Sequence, residues 1–147
     1  MLVFGMTFEK DESAGYLANH MARLFAIALH EKIRPLGLAP AQFMTLLELW
    51  DGDGLTQKDL VRRLDVEQAT MANTLKRMER DGLIVRQQDP DDRRAQVIRL
   101  TPKARNLRDD ATAAADAVNA RALAGFSENE RRAFIAMMAR AIAALGG

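Results

Sequence analysis

Within residues 68–80 the side chains divide by type, at about 100° of helical turn per residue. Met71, Leu75 and Met78 fall on one narrow stripe, and Ala69, Ala72, Asn73, Lys76, Arg77 and Arg80 spread over the opposite side. Lys and Arg neutralise phosphates, whereas amides and hydroxyls discriminate base edges in a major groove. Gln68, Thr70 and Asn73 are therefore the expected base readers, Lys76 and Arg77 the expected phosphate contacts, and the small Ala69 and Ala72 allow close approach. Further along, Asp92-Arg93-Arg94 puts two cations at the tip of a charged loop. A narrow minor groove attracts such an arginine, and Asp91 or Asp92 can pre-set it through a carboxylate fork. Taken alone, the helix face reads as a solvated surface and the loop as an exposed ion pair of little energetic value. Their place among the other elements decides between these readings.

Stretch 55–103 reads as a short helix, a tight turn, a longer helix and two strands joined by a charged loop. Thr56 can cap the first helix, with Asp59 three positions on completing a capping box, while Leu55 and Leu60 stand where a hydrophobic staple needs them. That helix runs to about Leu64. Asp65-Val66-Glu67 leaves a three-residue turn, with Asp65 suited to a left-handed conformation. The second helix is expected from Glu67 or Gln68, with Asp65 and Gln68 as an alternative start, and it stops at Gly82, a suitable C′ residue. Residues 83–88 and 95–100 are rich in Val, Ile and Leu and flank the turn-forming, charged 89–94. This order is a winged helix-turn-helix.

Leu55-Thr56-Gln57, Leu60, Leu64-Asp65-Val66, Thr70, the run from Leu75 to Ile84, and Pro90-Asp91-Asp92-Arg93-Arg94-Ala95 ending in Leu100-Thr101 together resemble the multiple-antibiotic-resistance regulator (MarR) family of winged-helix transcription factors. Asp92-x-Arg94 followed by Leu100-Thr101 is the specific part. The resemblance covers essentially the whole chain, because such proteins flank the winged helix with dimerising helices. It implies a dimeric DNA-binding transcriptional regulator, usually a repressor, released by small aromatic or phenolic molecules held between the dimerising helices and the winged helix. Here Tyr16, His20, Phe25, Phe43, Met44 and Trp50 are the side chains that can line such a crevice. A Met-rich aromatic stripe at helical spacing is also ordinary core, so a regulator without an effector is the other reading. Ala39, Asn73 and Ala104 stand where the family often has Thr, Arg and Gly; Asn73 bears on the operator sequence and not on the fold.

The expected fold is mainly α (α+β): a winged helix-turn-helix with a two-stranded wing between N- and C-terminal dimerisation helices. Residues 1–37 form the arm and first dimerisation helix, 38–103 the DNA-binding domain, and 104–147 the C-terminal dimerisation helices. The first helix runs from about Ser13 to Arg34, with Leu17, Met21, Leu24, Phe25 and Ala28 on one face, and ends at Pro35 and Gly37. The next begins at Pro40 and carries Phe43, Leu46, Leu47 and Trp50. After Thr101 one long alanine-rich helix is expected to about Leu123, then a last helix with another capping box at Ser127 and an apolar stripe from Phe134 to Leu145. These faces exceed what one small reader can bury, which predicts a homodimer with two recognition helices about 34 Å apart on a pseudo-palindromic operator.

Charge distribution agrees. The whole chain of 147 residues is +1, yet residues 55–105 hold 12 Lys or Arg against 8 Asp or Glu, which places the basic surface on the expected reader. Catalysis finds no footing. The chain has no Cys, no Gly-rich phosphate loop and no nucleophile elbow, and His20 and His30 lie ten residues apart rather than at metal-pair spacing. Asp89, Asp91 and Asp92 are crowded by two arginines and lack the glycine and distal Glu of a calcium loop, so neither metal nor cofactor is expected. Residues 1–10 are short and run into charge, unlike a signal peptide or a membrane span; the expected location is cytoplasmic. The competing class, a winged helix used only for protein contacts, leaves Lys76, Arg77 and the basic loop tip without a use.

Overall fold

A computed structural model describes residues 7–147. Residues 1–6, the first part of the expected N-terminal arm, lie outside the described residues. After a 3-10 turn at Lys10–Glu12, the chain forms α1 (Ala14–Ile33), a second 3-10 turn (Arg34–Leu36), α2 (Pro40–Asp51), α3 (Gln57–Leu64), α4 (Gln68–Arg80), β1 (Ile84–Gln88), β2 (Gln96–Leu100), α5 (Pro102–Asn106), α6 (Arg108–Ala122) and α7 (Glu128–Ala144).

The expected winged helix-turn-helix is present. Its core gathers Leu46 and Leu49 of α2, Leu60 of α3, Met71, Leu75 and Met78 of α4, and Leu83, Ile84, Ile98 and Leu100 of the wing. β1 and β2 are antiparallel, with Ile84 opposite Leu100 and Gln88 opposite Gln96. Leu55 bridges to Ile98 as a third, single-residue strand. The turn before it is held by Asp53, whose Oδ1 accepts from the N–H groups of Gly54 at 2.9 Å and Leu100 at 3.0 Å. Gly54 has φ +83, and a Cβ there would meet the Arg99 guanidinium at 2.6 Å, so the glycine admits that side chain across the turn.

One expected element divides. In place of a continuous helix from Pro102 to Leu123, α5 ends at Asn106 and α6 starts at Arg108. The Ala104 carbonyl accepts from Trp50 Nε1 at 3.0 Å and from the Leu107 N–H at 3.3 Å. This contact tightens the last turn of α5, and α6 leaves the winged helix to pack on α1.

Outside the core the apolar surface is large. Leu24, Ile27, Met137 and Ile142 are each more than half exposed, and α7 buries no residue within the chain. Among the described residues no helix is long and apolar enough to cross a membrane.

Candidate nucleic-acid interface

The helix-turn-helix angle is set locally. Thr56 Oγ1 accepts from the Asp59 N–H at 3.1 Å, and the Asp59 carboxylate accepts from the Thr56 N–H at 3.0 Å, closing the expected capping box. That backbone bond from Thr56, the hydroxyl, and the nearby Arg62 and Arg63 hold the Asp59 carboxyl below the usual carboxylate range. At the other end of α3, Asp65 takes φ 53 and ψ 41, the left-handed geometry that lets the chain reverse in three residues.

α4 starts at Gln68, with Glu67 as an extended N-cap that makes no side-chain cap bond, which decides the boundary between the two starts. It ends in a Schellman motif: the Gly82 N–H donates to Glu79 O at 3.1 Å and the Leu83 N–H to Met78 O at 2.9 Å, with Gly82 at φ 74. Met71, Thr74, Leu75 and Met78 face the core. Thr74 was not among the expected core residues; its hydroxyl donates to Thr70 O at 3.0 Å, so it is buried without loss of a hydrogen bond. Gln68, Ala69, Thr70, Asn73, Lys76 and Arg77 are exposed together, and Ala72 is half-buried beside them.

The wing tip is built differently from the carboxylate fork expected at Arg93 or Arg94. Asp92 Oδ1 accepts from the Arg94 backbone N–H at 3.0 Å, and Asp89 Oδ1 from the Asp91 N–H at 2.9 Å. Short carboxylates bond the backbone two residues on more readily than a mobile guanidinium. Gln88 Nε2 donates to Arg93 O at 2.9 Å, fixing the loop from the strand side. Among the described residues neither guanidinium forms an ion pair with an acid. Arg93 and Arg94 instead line a cleft of about 410 Å³ with Thr56, Lys58 and Arg86. Lys58 and Arg86 were not singled out from sequence; the signal available was a Lys in the first turn of α3 and an Arg on the strand leading to the tip.

A separate cavity of about 520 Å³ is bounded by α1, α2 and α6. Of the six side chains proposed to line a crevice, Phe25, Phe43 and Met44 do so, while Tyr16, His20 and Trp50 do not. Trp50 is committed to the Ala104 carbonyl and stacks edge-on to Phe43 at 6.1 Å. Tyr16 and His20 sit near the start of α1, edge-on to one another at 6.4 Å, with Lys10 over the tyrosine ring at 5.7 Å. The α6 wall supplies the polar groups missed from sequence: Thr112, Asp116 and Asn119. They interrupt an alanine run, which was the available sign that this face meets something other than a helix.

A helix-turn-helix with an exposed amide, hydroxyl and cationic face beside a basic wing defines a winged-helix DNA-binding protein. The MarR family model matches residues 38–95. The helix-turn-helix-type transcriptional regulator YwoH of Bacillus subtilis, itself uncharacterised, is 31% identical over 116 residues, 79% of this chain and 84% of its own. A probable transcriptional regulator from Pseudomonas aeruginosa superposes with a TM-score of 0.82 at 30% identity, covering 90% of this chain and 98% of that one. A MarR-family regulator of Listeria monocytogenes, solved in complex with a 26mer DNA, superposes at 0.79 with 25% identity, over 91% and 87% of the two chains. The chain belongs to the MarR family of transcriptional regulators.

Proposed function

We propose that the protein is a homodimeric, sequence-specific repressor acting in the cytoplasm, with α4 in the major groove and the wing along the adjacent minor groove. The observation that carries this reading is the joint exposure of Gln68, Thr70, Asn73, Lys76 and Arg77 on the outer side of α4. Gln68, Thr70 and Asn73 read bases, Lys76 and Arg77 hold phosphates, and Arg93 and Arg94 enter the minor groove from a tip braced by Asp92. The Listeria relative, solved in complex with a 26mer DNA, supports the DNA-binding part of this reading. A winged helix serving protein contacts alone gives these residues no task.

Labour is divided along the chain as 1–37, 38–103 and 104–147, the outer parts covering each other in the dimer. The exposed apolar side chains of α1 and α7 are the surface that a second copy buries.

The cavity between α1, α2 and α6 receives a small aromatic effector. It is mostly apolar, with Asp116 and Asn119 on one wall, the composition of a small-molecule site. It touches the dimerising helices and α2, so a ligand preferring one spacing of the two readers weakens DNA binding by its differential affinity for the two states. A gel shift on the promoter region beside the protein's own gene, with competitor DNA, tests the core of the proposal; retardation of that duplex is expected, and none at micromolar protein would remove it.

A further inference from the structure

The wing flanks α4 on one side, where Arg86 reaches Glu79 at 3.6 Å. On the other side lies a cleft of about 440 Å³ lined by His30 and Arg34 at the end of α1, Gln42 of α2, and Arg77, Arg80 and Asp81 at the end of α4. Its acid is already engaged: the Asp81 carboxylate accepts from Gln42 Nε2 at 3.0 Å and from Arg80 Nε at 3.0 Å. Arg34 and Arg77 form no ion pair among the described residues, and His30, Arg34, Arg77 and Arg80 are all exposed. The cleft therefore presents excess positive charge, and through Arg77 and Arg80 it is continuous with the outer face of α4.

A helix seated in a major groove has a phosphate backbone along each flank. The wing meets one of these. We infer that His30 and Arg34, on a helix otherwise devoted to dimerisation, form with Arg77 a second phosphate clamp on the opposite strand. This rests on the DNA-binding reading above and extends the interface beyond the helix-turn-helix to α1. Because the end of α1 also leads into the dimer helices, the clamp ties backbone contact to the element that sets the spacing of the two readers. A cation at the end of α1 also complements that helix's dipole, a structural role that the test must separate from phosphate contact.

The test is operator affinity measured across a salt series for the wild-type dimer, Arg34→Ala, Arg34→Lys and the double variant His30→Ala/Arg34→Ala, with thermal midpoints recorded alongside. Arg34→Ala is expected to flatten the slope of log K against log salt by about one unit per protomer engaged, with selectivity between operator and scrambled duplex unchanged and Arg34→Lys restoring the slope. A lower thermal midpoint with an unaltered slope would assign Arg34 to helix termination and overturn the clamp. Inorganic phosphate raising the wild-type midpoint while the DNA slope stays constant would give the cleft to a free anion and overturn it as well. Absence of DNA binding by the wild type would refute the regulator reading itself, a result distinct from a silent Arg34.

Discussion

Gln42 Nε2 donates to Asp81 Oδ2 at 3.0 Å, while Gln42 Oε1 accepts from the Ala39 N–H at 3.0 Å. One side chain, 6% exposed, thus joins the start of α2 to the end of α4. It also supplies the N3 half of a capping box at α2, whose other half the Ala39 side chain cannot make. Lys103 Nζ adds a bond to Asp81 O at 2.8 Å, so α2, α4 and α5 meet at this aspartate. Asp81→Ala strands the buried amide, and a loss of about 1–3 kcal/mol in denaturant unfolding is expected. An unchanged midpoint would show that the bridge carries no stability.

The same aspartate gives the protein an acid limit. Hydrogen bonds from Arg80 and Gln42 hold the Asp81 carboxyl below the usual range, and the bond from the Thr56 N–H does so at Asp59. A depressed folded-state value means stability that is full above the ordinary aspartate value of about 3.9 and lost as pH falls through the lower folded-state value. Urea midpoints between pH 6 and pH 3 are expected to fall at the acid end, and less steeply in Asp81→Asn, whose starting stability is lower. Parallel curves for the two proteins would dissociate Asp81 from the effect.

Much of the reader was legible because its signals are local. Thr56 with Asp59, Asp65 in the turn and Gly82 beyond α4 each act within a few residues, and each does in the structure what its chemistry suggests. What sequence missed depends on distant partners. The break at Leu107 follows from Trp50 taking a carbonyl 54 positions away. Asp116 and Asn119 face a cavity that exists because α6 returns to α1. At the wing tip, residue type and proximity suggest a carboxylate fork to arginine, but the Asp92 carboxylate takes the nearer Arg94 backbone N–H.

At the wing, Arg94→Ala is expected to weaken operator binding by more than about 1 kcal/mol, with Arg93→Ala close behind. Thermal stability should hold, since both side chains are exposed. Fluorescence anisotropy titration of each variant measures this, and equal affinities for the two variants and the wild type would remove the wing from the interface.

On α4 the two kinds of contact separate by readout. Asn73→Ala is expected to relax discrimination at one operator position by about 1–3 kcal/mol. Lys76→Ala should weaken all duplexes alike and flatten the salt slope. Selectivity unaltered in Asn73→Ala, measured over operators mutated base by base, would sink its assignment as a reader.

Effector binding has its own observable. Phenols and salicylate-like acids that raise the thermal midpoint should also release DNA, since the coupling is reciprocal, and Phe43→Ala, though weakening the core, should abolish the ligand-dependent part of both shifts. A broad screen yielding no such compound would leave a regulator without an effector.

A dimer of this chain is proposed to read a particular DNA sequence. The most direct measurement is the ratio of affinities for the operator and a scrambled duplex of equal length at near-physiological salt, with stoichiometry determined by sedimentation of the complex. Two protomers per duplex and an operator bound at least about 10³-fold more tightly are expected. A monomeric complex, or equal affinity for both duplexes, would contradict this reading.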